Sequence, residues 1–88
     1  MQKEHFRIFV VEDDEWYNRF LVHHLSMNPE YEVKGFSSGT DLLKSLHETP
    51  DVITLDYRLP DIKGNDLLGK IKLHDESIEI IVISGQED

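Results

Sequence analysis

The chain has 88 residues, with 9 Lys and Arg against 18 Asp and Glu, a formal net charge of −9 and no cysteine. That length allows one domain with a modest core, and so acidic a chain with scattered cations argues against nucleic-acid binding through this segment. A mean hydropathy of −0.43, with no apolar run of about 18 residues, excludes a membrane-spanning helix. No apolar stretch follows a basic start, so a cytoplasmic location is the default expectation.

Arg7-Ile-Phe-Val-Val11 is an uninterrupted β-branched and aromatic run that stops abruptly at Glu12-Asp13-Asp14. It reads as a central strand buried on both faces. From Glu15 to Met27, Trp16, Tyr17, Phe20, Leu21 and Leu25 recur at three- and four-residue steps, predicting an amphipathic helix closed by Asn28-Pro29. Trp16 and Phe20 are expected in its core-facing stripe. Tyr31 to Phe36 alternates as a short second strand. The oxygens of Ser37, Ser38, Thr40 and Asp41 offer an N-cap to a second helix with Leu42, Leu43 and Leu46 inward, ending before Pro50.

Asp51-Val-Ile-Thr-Leu-Asp56 reads as the third strand, and Tyr57 to Gly64 as a loop, by its Pro60 and Gly64. A helix with Leu67, Leu68 and Ile71 inward follows, and Ile78 to Ser84 reads as a fourth strand. The order βαβαβαβ predicts helices packed on both faces of a parallel sheet.

In such sheets a ligand site lies beyond the carboxyl ends of the strands. Three strands end there in polar residues: Glu12 and Asp13 after the first, Asp56 at the third and Ser84 at the fourth. If the first and third strands are neighbours, Asp13 and Asp56 lie about 5 Å apart. Two full charges at that distance repel by roughly 3 kcal/mol at an effective dielectric constant of about 20, so a proton or a cation has to relieve them. With no Cys or His in the cluster, the fitting ion is a hard one such as Mg²⁺ or Mn²⁺. A carboxylate at a rigid strand end can also act as a nucleophile toward a phosphoryl group, and Ser84 could donate its hydroxyl to a phosphoryl oxygen.

The segments Val10-Val-Glu-Asp-Asp14, Asp51 to Gly64 and Ile80-Ile-Val-Ile-Ser-Gly85 resemble, at the expected spacing, three signature segments of the response-regulator receiver family. The resemblance covers essentially the whole chain, residues 1–88. It implies a flavodoxin-like doubly wound fold with strand order 2-1-3-4, the family's fifth strand and last helix lying past the end of this sequence. It implies further that Glu12 and Asp13 form the acidic pair, that Asp56 accepts the phosphoryl group, that the Arg58 backbone carbonyl completes the metal's protein ligands, and that Ser84 is the switch hydroxyl. The donor would be the phospho-His of a sensor histidine kinase or phosphotransfer protein. The receiving surface would belong to an output domain, an effector or a second copy in a homodimer. The family's lysine at the end of its fifth strand has no counterpart among the six lysines, which all precede the fourth strand.

Two other readings compete. An aspartyl-phosphate phosphatase of the haloacid-dehalogenase type needs an acid two residues beyond its nucleophile, where this chain has Arg58. The presence of Asp13, Asp56 and Ser84 speaks against a non-phosphorylated pseudo-receiver, serving only as an interaction module, for the parent protein, while for this segment by itself that reading stays open. Asp14 and Glu15 are explained by the positive end of the first helix. Asp61 reads as a turn former, and His5, His23, His24, His47 and His74, which lack ligand spacing, as surface residues.

Overall fold

The apolar run near the start is extended and buried, as its composition requires: Ile8, Phe9, Val10 and Val11 are all inside. In the computed structural model, which describes residues 5–83, this run is β1 (Phe6–Val11). It is followed by α1 (Glu15–Ser26), β2 (Tyr31–Phe36), α2 (Gly39–Lys44), a single 3₁₀ turn (Leu46–Glu48), β3 (Val52–Asp56), α3 (Gly64–His74) and β4 (Glu79–Ile83). The strands form one sheet in the order β2-β1-β3-β4, with every pairing parallel. This is the flavodoxin-like arrangement implied above, and β1, with no polar side chain from Ile8 to Val11, sits inside it between β2 and β3.

Alternation along the strands divides the core. Phe9, Val11, Ile53 and Leu55 point to one face and cluster with Leu42 and Leu46 of the second helical segment, Leu67 and Ile71 of α3, and Phe36 and Ile78. Phe9 and Phe36 meet edge to face with centroids 4.9 Å apart. Ile8 and Val10, equally buried, lie outside that cluster, on the face where α1 rests against β1 and β2.

Helices α1 and α2 start where side-chain oxygens satisfy free backbone N–H groups. The Asp14 carboxylate accepts from Tyr17 N at 3.1 Å to open α1, and Ser38 Oγ accepts from Asp41 N at 3.1 Å to open α2. The expected second helix is shorter than its leucine spacing suggests. It breaks at Ser45 and continues as the 3₁₀ turn, ending at Thr49 with φ 57°, a left-handed conformation taken just before Pro50. The residue before a proline is pushed out of the right-handed helical region, so the helix cannot continue through it.

The structure corrects the placement of two aromatics. Trp16 and Phe20 are not in the core; they are 72% and 47% exposed and stack on each other with centroids 5.6 Å apart. The face of α1 that meets the sheet carries Asn18, Leu21, Val22 and Leu25, all half-buried, and no residue of α1 is fully buried. Periodicity marked the right helix but could not say which of two adjacent stripes faced inward.

Candidate metal centre

The β1–β3 register ends at Val11↔Leu55, so the residues that follow, Glu12 and Asp56, emerge side by side at the carboxyl end of the two central strands. Glu12, Asp13 and Asp56 each bring a carboxylate oxygen to within 4.8 Å of the others. Their environments differ: Glu12 is 7% exposed, Asp56 half-buried and Asp13 exposed. Glu12 Oε2 accepts the Asp14 N–H at 3.0 Å, and Asp56 Oδ1 accepts the Arg58 N–H at 3.0 Å, so two of the three acids are held by the backbone of the loops they open.

Burial first, then the charge of Asp56, a side-chain hydrogen bond with it and the charge of Asp13, push the Glu12 carboxyl up to about 7, against the lowering effect of the Asp14 N–H. Burial and the neighbouring acids together thus favour the protonated carboxyl at Glu12, and a cation would relieve the same repulsion. All three donors are hard oxygens, and the residues present fit a hard divalent ion.

Arg58 lies in the loop beside Asp56 and makes an isolated antiparallel bridge to Lys63. An open depression of about 570 Å³ adjoins the acids, walled by Asp13, Tyr57, Arg58, Lys63 and Asn65 among others. Tyr57 forms one side of it, its hydroxyl donating to Asn65 Oδ1 at 2.7 Å. Ser84 lies outside the described residues. The five histidines are exposed, and none joins the acidic cluster.

Two residues matter here that the sequence did not single out for a site. The Asp61 carboxylate, read above as a turn former, accepts from Gly39 N at 3.1 Å, Thr40 N at 2.8 Å and Thr40 Oγ1 at 2.6 Å, tying the loop after Asp56 to the start of α2. Those hydrogen bonds, the Thr40 hydroxyl first, lower its pKa. Asn18 Nδ2 donates to the backbone carbonyls of Glu12 and Phe36 at 2.8 and 2.9 Å. An acid in a loop and an amide on a helix are too common in sequence to announce such contacts.

The chain matches the family model for the response regulator receiver domain over residues 8–88. It belongs to the receiver-domain family. It is 32% identical over 82 residues to transcriptional regulatory protein CssR of Bacillus subtilis (strain 168), covering 93% of this chain and 36% of CssR. It is 28% identical over 79 residues to sporulation initiation phosphotransferase F of the same organism, covering 89% of this chain and 63% of that protein. The chain thus spans under two thirds of the length of either relative. Among solved structures, the BeF3-activated DrrB receiver domain superposes with a TM-score of 0.84 at 28% identity, covering 96% of this chain and 69% of that one. Receiver domains are signalling modules that hold Mg²⁺ at an acidic pocket, and Glu12, Asp13 and Asp56 form an acidic group in this chain that could hold a metal ion.

Proposed function

We propose that residues 1–88 form a receiver domain in which Asp56 accepts a phosphoryl group from the phospho-His of a sensor histidine kinase or phosphotransfer protein, in the cytoplasm. The observation that carries this reading is the convergence of three carboxylates at the ends of the two central strands. Glu12, Asp13, Asp56 and the Arg58 backbone carbonyl would hold Mg²⁺ or Mn²⁺. When bound, the ion supplies positive charge to the phosphoryl oxygens and to the crowded acids.

An Asp56 carboxylate oxygen forms the new bond to phosphorus as the bond from phosphorus to the donor's imidazole nitrogen breaks; the imidazole keeps the electron pair and takes a proton. Asp56 suits this step because its backbone is fixed in β3 while the loop from Tyr57 leaves the carboxylate half-open beside the depression. Ser84 is the hydroxyl we assign to a phosphoryl oxygen of the product. The phosphorylated surface would then engage an output domain, an effector or a second copy.

Asp56→Asn keeps the shape and removes the nucleophile. The wild-type protein, given Mg²⁺ and a small acyl phosphate, is expected to gain hydroxylamine-sensitive phosphate, and the variant none. The same label on Asp56→Asn would move the acceptor elsewhere.

A further inference from the structure

Asn18 is a polar residue of α1, half-buried where the last paired residues of β1 and β2 give way to the acidic loop. The β1–β2 register closes at Val11↔Phe36, with one further hydrogen bond from Glu12 N to Phe36 O at 3.0 Å. Beyond that point no strand pairing constrains the chain. Asn18 takes over: its amide nitrogen donates both its hydrogens, one to Glu12 O at 2.8 Å and one to Phe36 O at 2.9 Å.

Glu12 is thereby held at three points. Its N–H goes to Phe36 O, its carbonyl receives Asn18, and its carboxylate receives the Asp14 N–H at 3.0 Å. With backbone and side chain both tied, the direction in which the chain leaves β1, and hence where Asp13 lies, is set.

Asn18 can approach this closely because β2 has Gly35 beside it. A Cβ at Gly35 would lie 2.4 Å from Asn18 Oδ1 and 3.0 Å from Val22 Cγ2. No glycine among the described residues has a positive φ, so what Gly35 contributes is space rather than an unusual backbone angle.

We propose that Asn18, seated in the space left at Gly35, is a positioning residue that aims the Glu12-Asp13 pair at Asp56 and so sets the affinity of the cluster for a divalent cation. This rests on the metal-centre reading above. It adds a residue of α1 and one of β2 to a site otherwise built from the ends of β1 and β3. Groups that orient ligands without touching the ion typically change metal affinity by about 10- to 100-fold.

The test compares wild type, Asn18→Ala, Gly35→Ala and, as a control, Leu25→Ala, which thins the same face of α1 two turns further on. Mg²⁺ is titrated against amide chemical shifts at Glu12, Asp13 and Asp56, and thermal stability and amide exchange at Glu12 are measured without metal. Asn18→Ala and Gly35→Ala are each expected to weaken Mg²⁺ binding about tenfold and to speed exchange at the Glu12 amide. Leu25→Ala is expected to lower the melting temperature and leave affinity and Glu12 exchange unchanged. Gly35→Ala keeps the Asn18 amide and only displaces it, so it carries the comparison even if Asn18→Ala folds poorly. Undiminished binding in Asn18→Ala and Gly35→Ala would overturn the inference and leave the metal centre standing, as would losses of affinity that merely track stability across all three variants. A wild type whose Asp13 and Asp56 amides ignore Mg²⁺ would remove the metal-centre reading and this inference with it.

Discussion

Glu12 binds its proton more tightly in the folded chain, at about 7, than at the ordinary carboxyl value of 4.5, chiefly because it is buried and faces Asp56. Between those values the folded state holds more protons than the unfolded one, so stability falls as pH rises from about 4.5 to about 7 and the penalty is complete above that. Asp61 and Asp75 act in a different window. Their pKa values are lowered, by hydrogen bonds from Thr40 and Ser77 respectively, so their contributions are present above 3.8 and are lost as pH falls below it. Metal-free chain is therefore expected to be most stable at about pH 4, between the window of Glu12 and that of Asp61 and Asp75, by chemical denaturation across pH. Glu12→Gln should flatten the decline between 4.5 and 7, and Mg²⁺ affinity of the wild type should rise with pH over the same interval, because the ion competes with that proton. A decline that persists unchanged in Glu12→Gln would place its origin in the net charge of the chain instead.

At the level of elements, the two helical faces carry unequal weight. Ile71 of α3 and Leu42 of α2 are fully buried, whereas α1 buries no residue completely. Truncating a fully buried Ile to Ala costs about 2–5 kcal/mol, against a total of about 5–15 kcal/mol for a small domain. Ile71→Ala is thus expected to come close to unfolding the chain. Trp16→Ala, at a side chain 72% exposed, should change stability by less than about 0.5 kcal/mol. Paired urea titrations would check both. A large loss from Trp16→Ala would mean that the Trp16–Phe20 stack supports α1 far beyond its exposed area.

At the scale of the whole molecule, β4 is an outer strand of the sheet among the described residues, and Ile81 and Val82 on its opposite faces are 53% and 42% exposed. An apolar strand with one unpaired edge is a template for pairing with another chain. This chain is expected to associate as its concentration rises, despite its net charge of −9, and Ile81→Lys combined with Val82→Lys should suppress the association. Sedimentation over a concentration series would show it; a strictly monomeric mass throughout would mean that charge repulsion outweighs the exposed edge.

What the sequence by itself determined is whatever depends on neighbours along the chain. The apolar run of β1 could be satisfied only by burial on both faces, alternation and turn residues placed the other strands to within a residue or so, and acids at the end of β1 and of β3 marked where ligand chemistry could lie. The tertiary structure decided what depends on contacts between residues far apart in the chain. The register Val11↔Leu55 brings Glu12 beside Asp56, 44 residues away, and the seat of α1 turns Trp16 outward and Asn18 inward. The same holds for the carboxylate of Asp61 at the start of α2 and for Gly35 opposite Asn18. Hydrophobic period selects a helix but leaves its rotation free by one residue, and only packing against the sheet removes that freedom.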